Sequence, residues 1–187
     1  MIRRRVFMWT GAITATALLG AAAVLIWAPW RTHSATPPMA VTLPTDCPTL
    51  LGLPAPDGVG GGNGQGTTRN TDCEWGPGTE TGFPPVRATT TLYSSVDEAK
   101  RQSAALITQF DGPKQGFSLG ADTPIAGVGD DARISDHDGY FVLVARKANV
   151  VLSMDYIAPA HSDQDQDQAV LATAARTLLS GITLTTA

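Results

Sequence analysis

The clearest periodicities lie from Val86 onward. From Val86 to Tyr93 the residues Val86, Ala88, Thr90 and Leu92 alternate with Arg87, Thr89, Thr91 and Tyr93. A period of two in β-branched residues predicts a half-buried strand. Ser95-Val96-Asp97-Glu98 then forms a capping box, with Ser95 as N-cap and Glu98 at the third helical position. Val96, Ala99, Ser103, Leu106, Ile107 and Phe110 recur at helical spacing, and Asp111-Gly112-Pro113 ends the helix. Tyr140–Arg146 and Val150–Ile157 are the strongest strand signals, joined by Lys147-Ala148-Asn149 as a β-hairpin. A short strand over Ala132–Ser135 and a turn at Asp136-His137-Asp138-Gly139 precede them. A last helix starts among Ser162–Gln168 and ends near Ser180, with Val170, Leu171, Ala174, Ala175 and Leu178 inward and Gly181 as its stop.

The stretch before Val86 is less regular. Asp46–Gly52 reads as one short helical turn capped by Asp46, turning Leu50, Leu51 and Leu53 toward the core. Thr67–Trp75 reads as a strand with Cys73 and Trp75 on one face. Asp57–Gly66 is glycine-rich and reads as a flexible loop, and Lys114–Asp131 as a second long loop. Strands in meander order followed by returning helices predict an α+β fold, an antiparallel sheet with the helices packed on one face.

Ahead of this domain the pattern changes. Val6 to Trp30 holds no charged residue. About 25 residues make a helix of about 37 Å, enough to span a hydrocarbon core of about 30 Å. Arg3, Arg4 and Arg5 precede it, and Trp9, Trp27 and Trp30 lie near its ends. These features predict a single transmembrane signal-anchor with a cytoplasmic N-terminus and an extracytoplasmic remainder. A cleaved signal peptide is the alternative, with Thr32-His33-Ser34 its best site, and Arg4-Arg5 also partly matches a twin-arginine export signal. Residues 1–30 are thus read as basic start and anchor, 31–45 as a Pro/Thr-rich linker, and 46–187 as the domain. Cys47 follows Pro44-Thr45-Asp46, which is no lipobox, so a lipid anchor is not expected.

Charge narrows the partners. Removing the +3 of Arg3–Arg5 from the net −4 leaves −7 on the rest of the chain. Such a domain repels phosphate backbones, so no nucleic acid is expected as a partner. Cys47 and Cys73 are the only cysteines. Outside the membrane they are read as a disulfide in preference to a metal or redox pair, since no histidine lies near either and they form no C-x-x-C.

Several motifs tempt. Gly116-Phe117-Ser118-Leu119-Gly120 matches the G-x-S-x-G of a nucleophile elbow, with Asp136 or Asp155 and then His161 in triad order. The elbow needs a strand before it and a helix after it, and neither surrounds Ser118. Asp163, Asp165 and Asp167 are spaced like calcium-loop ligands, but Gln168 and Ala174 occupy the positions that need Gly and Glu. Acids at a helix start also complement its dipole. Gly58–Gly66 has no dinucleotide fingerprint and no P-loop lysine, and His33, His137 and His161 fall on separate elements. No catalytic, metal or cofactor-binding residue is assigned, and no cofactor is expected.

Cys47-Pro-x-Leu-Leu-Gly, Cys73-Glu-Trp75, Gly127-Val-Gly-Asp-Asp-Ala132 and Val144-Ala-Arg-Lys-Ala-Asn-Val-Val-Leu152, with a closing helix, give a recurrent pattern. It resembles that of actinobacterial cell-envelope domains of unknown function, small lipoproteins and membrane-anchored domains similar to the extracellular sensor domains of some serine/threonine kinases. The resemblance spans Asp46 to Ile182 and implies an α+β domain that binds something at the cell surface, without catalytic residues to carry over. The expectation is a membrane-anchored, non-catalytic module that binds or senses an envelope protein or a small ligand. Its lining would come from the exposed sheet face or from the Gly58–Gly66 and Lys114–Asp131 loops. The alternatives are a serine hydrolase using Ser118 and a structural envelope protein whose helix self-associates through Thr16/Gly20 and Ala17/Ala21.

Overall fold

A computed structural model of the chain describes residues 37–50, 52–53, 62–76, 85–111 and 123–186. They belong to one compact unit, Pro37–Ala187. The expected anchor over residues 6–30 lies outside the described residues. Among the described residues no helix is long and apolar enough to cross a membrane.

The elements run β1 (Met39–Ala40), β2 (Asn63–Gly66), β3 (Asn70–Trp75), β4 (Val86–Leu92), α1 (Val96–Asp111), β5 (Thr123–Pro124), β6 (Asp131–His137), β7 (Tyr140–Lys147), β8 (Val150–Ile157), α2 (Gln164–Ser180) and β9 (Leu184–Thr185). Seven strands form one antiparallel sheet in the order β2-β3-β4-β8-β7-β6-β5, and β1 pairs with β9. The fold is α+β, as the element pattern implies. Both hairpins form as expected, with tighter turns: Asp138-Gly139 joins β6 to β7 and Ala148-Asn149 joins β7 to β8, since Asp136, His137 and Lys147 are paired within their strands.

The helices, however, do not share a face. Leu171, Ala174, Ala175 and Leu179 of α2 pack in one buried cluster with Phe141, Leu143, Leu152, Met154, Tyr156 and Trp75. Ala99 of α1 packs in another with Val142, Val144 and Val151. Neighbouring residues of β7 point to opposite faces, so the clusters lie on opposite sides of the sheet. The expectation of helices on one face is therefore corrected to a three-layer arrangement. The physical reason lies in β7 itself: Phe141 to Arg146 is buried without interruption, which requires cover on both faces.

Three local expectations also change. Residues 47–50 form no helical turn, although Leu50 and Leu53 are buried as expected. Within the glycine-rich stretch, Asn63–Gly66 is a strand paired with β3. A Cβ on Gly62 would lie 2.8 Å from the Cβ of Cys47, and one on Gly64 would lie 2.0 Å from the carbonyl oxygen of Asp72. These glycines serve close packing against the Cys47–Cys73 disulfide, whose Cα atoms are 5.7 Å apart. Finally, the packed unit starts at Pro37, so the later part of the 31–45 linker belongs to the domain. Ala40 and Leu43 are buried, and the Thr71 hydroxyl donates to the Pro44 carbonyl at 2.6 Å.

One buried side chain secures that entry strap. The Asn149 amide accepts from the Ala40 N–H at 2.7 Å and donates to the carbonyls of Ala40 at 3.0 Å and Tyr93 at 2.9 Å. It thereby acts as the strand partner that the strap lacks on this side. Asn149→Ala leaves these buried backbone groups unsatisfied and is expected to cost about 2–3 kcal/mol. Urea unfolding of the full-length protein measures it; an unchanged midpoint would mean that the strap is held without Asn149.

Candidate ligand-binding groove

The face of the sheet under α1 is only partly covered. α1 crosses β7 and β8 and leaves a polar area on either side. On the β3–β4 side the polar residues satisfy one another. The Asp72 carboxylate accepts from Thr89 Oγ1 at 2.7 Å and Asn70 Nδ2 at 2.8 Å, and Thr91 donates to Asn70 Oδ1 at 3.0 Å. Arg87 pairs with Glu74 at 2.6 Å.

Tyr140 donates to Asp155 at 3.0 Å on the same face. Burial pushes the Asp155 carboxyl above its ordinary range, against the opposing pull of the Tyr140 hydroxyl and of Arg87. Burial, followed by the Asp155 charge, pushes the Tyr140 phenol up as well. A carboxyl raised in the folded state binds protons more tightly there than in the unfolded chain. Its contribution to stability is therefore full below the unfolded value near 3.8 and is lost as pH rises through the higher folded value. Tyr140→Phe removes a donor that favours the carboxylate, so the Asp155 pKa is expected to rise further and that loss to move to higher pH. An NMR titration of the Asp155 carboxyl carbon tests this; a pKa that stayed or fell in Tyr140→Phe would contradict it.

On the β6 side the face opens into a groove of about 680 Å³. Lys100, Ser103, Ala104, Ile107 and Thr108 of α1 form one wall, and Asp131, Arg133 and Arg146 of β6 and β7 form the floor. Asp131 and Arg146 are cross-strand partners, and Arg133 is diagonal to Arg146. Small-molecule sites have volumes of about 300–1,000 Å³, and this groove falls in that range. A second cavity, of about 100 Å³, lies between β3, β4 and the end of α2 and is too small for more than a few waters.

The turn between β5 and β6 fixes the floor. Arg176 of α2 donates to the carbonyls of Ala126 at 3.2 Å and Gly127 at 3.0 Å, and Val128 is buried. Gly129 has φ +60, and a Cβ there would lie 2.3 Å from the Arg146 carbonyl oxygen. Glycine alone permits that approach. It brings Asp130 Oδ2 against Arg146 Nη1 at 2.8 Å and the Ala148 N–H at 2.7 Å. Arg146 is held in place before any ligand arrives.

The residues singled out from the sequence fall elsewhere. Ser118 lies outside the described residues. Asp136 accepts from Gln168 at 3.1 Å and Asp155 from Tyr140, while His161 sits in an exposed turn with φ 69. The acids proposed for a triad are engaged by other partners. Asp163 caps α2 by accepting from the N–H groups of Asp165 and Gln166. Asp167 is buried and accepts from Ser162 at 2.5 Å. These carboxylates are used inside the helix start. Cys47 and Cys73 are joined as expected.

Sequence reasoning did not single out Lys100, Arg133 or Arg146. A signal existed for Arg146: it ends the apolar run Phe141–Ala145, where a charge needs a built partner. A scan against protein-family models gives no match for this chain, and a search of curated proteins gives none.

Proposed function

We propose that the protein is a non-catalytic, membrane-anchored extracytoplasmic module that binds a small ligand between α1 and the β6–β7 floor. The observation that carries this reading is the groove itself, sized for a small molecule and floored by an arginine fixed in advance. Preorganised polar groups in a concave site lower the ordering cost of binding. The address rests on the charge-free run Val6–Trp30 behind Arg3–Arg5, and the disulfide favours an oxidising compartment. The resemblance to actinobacterial envelope and sensor-type domains points the same way.

Ala104 lines the groove and is exposed, so Ala104→Trp obstructs the site without disturbing the core. Detergent-solubilised full-length protein is melted with neutral sugars, amino acids, carboxylates and phosphates in turn. Compounds that raise the melting temperature of the wild type and not of Ala104→Trp are expected. Equal shifts in both proteins would place binding outside the groove.

A further inference from the structure

We infer that the groove recognises an oxyanion, a carboxylate or phosphate group carried by the ligand, and that Arg146 is its anchor; this rests on the groove being a ligand site. The Arg146 side chain is nine-tenths buried, yet it lines the groove. Among the described residues its bonds to Asp130 at 2.8 Å and to the Ala148 carbonyl at 3.2 Å both run through Nη1. No buried side-chain nitrogen among these residues lacks a hydrogen-bond partner. Nε and Nη2 therefore keep some exposure, on a side chain that lines the groove. Those two N–H groups are the edge that meets a carboxylate or phosphate with two parallel hydrogen bonds.

The surroundings favour the same ligand. Asp130 holds one side of the guanidinium, so little ordering is left for binding to complete. Arg133 and Lys100 flank the site and add positive charge beside that edge. Among the described residues Lys100 has only a loose pair with Asp97, at 3.6 Å on the exposed helix surface, which costs little to give up. Asp131 on the same floor and the Ser103 and Thr108 hydroxyls offer acceptors for hydroxyl or amino groups elsewhere on the ligand. A small polar acid fits this lining better than a plain hydrocarbon.

Full-length protein labelled at arginine Nε is titrated with inorganic phosphate and with citrate and followed by NMR. The expected result is a saturable shift of the Arg146 Nε–H signal, with affinity lowered about tenfold or more in Arg146→Lys, which keeps the charge and loses the two-pronged edge. Lys100→Gln, on the exposed surface of α1 at the groove, is expected to weaken binding without moving the melting temperature of the free protein. It keeps the test valid if changes at Arg146 unfold the chain. Vesicles of phosphatidylglycerol and of phosphatidylcholine separate sources: displacement of phosphate by the anionic vesicles alone would assign the oxyanion to a lipid headgroup, and no displacement to a soluble ligand. An unmoved Arg146 signal, or equal affinity in all variants, would overturn the assignment. If neutral compounds then still lost binding in Ala104→Trp, the groove would remain the ligand site and only its ligand class would be wrong.

Discussion

Replacing Cys47 and Cys73 together with alanine is expected to lower the unfolding free energy by about 3–4 kcal/mol. The bond closes a loop with a sequence separation of 26 residues. In the chain-entropy account a loop of that length is worth roughly 3.5 kcal/mol. The loss is expected to be concentrated at the β2 end of the sheet. There Gly62 and Gly64 pack against Cys47, and among the described strands β2 pairs only with β3, at the sheet edge. Urea unfolding gives the global value, and amide exchange of residues 63–66 gives the local one. A loss under about 1 kcal/mol would mean that the loop ends are kept together by the packing of Trp75 and Leu50, with the bond adding little.

Trp75→Ala is expected to cost about 3–5 kcal/mol, the usual range for removing a fully buried aromatic. The side chain is wholly inaccessible, and its indole N–H donates to the Pro48 carbonyl at 2.9 Å. Truncation would leave a cavity beside Pro48 and Gly62 and strip that carbonyl of its donor. Trp75→Phe should fall between wild type and alanine, because it restores part of the volume without the hydrogen bond. Thermal and urea unfolding of the full-length variants test the order. Because Trp75 and the disulfide share neighbours, the combined variant should lose less than the sum of the separate losses. Additive losses would show the two to be independent supports.

Much of this core was legible because its signals are local. The alternation in Val86–Leu92 and the hairpin around Ala148 specify strands and register directly, and the Ser95 hydroxyl does accept from the Glu98 N–H at 3.1 Å. The capping is not quite the expected box: the Glu98 carboxylate turns to the Ser94 amide and hydroxyl, and these bonds hold its pKa below the ordinary range. The layer arrangement was readable in principle. Phe141-Val142-Leu143-Val144-Ala145 has no polar residue facing outward, and such a run belongs to a strand covered twice.

What composition hid was long-range. Gly62, Gly64 and Gly66 look like a flexible linker because glycine signals freedom and close approach alike; only the position of the disulfide decides between them. The strap at Ala40 depends on Asn149, 109 residues away, and no local pattern announces that bond. The groove was missed for the same reason. Its floor joins Asp131 and Arg133 to Arg146 across a strand pair, and its wall comes from α1. Ser118 and the Asp163–Asp167 acids drew attention by a spacing along the chain that mimics known sites, but their sequence context already argued against both. The Gly127–Ala132 segment did stand out as a motif, and it is this turn that sets Asp130 against Arg146.

The most direct test of the groove reading is amide hydrogen exchange of the full-length protein, alone and with a compound that raises its melting temperature. Slowed exchange is expected, confined to residues 100–108 of α1 and to 131–133 and 144–146 of the floor. Slowing centred on β3 and β4, with the groove unchanged, would contradict it and move the binding surface to the other side of α1.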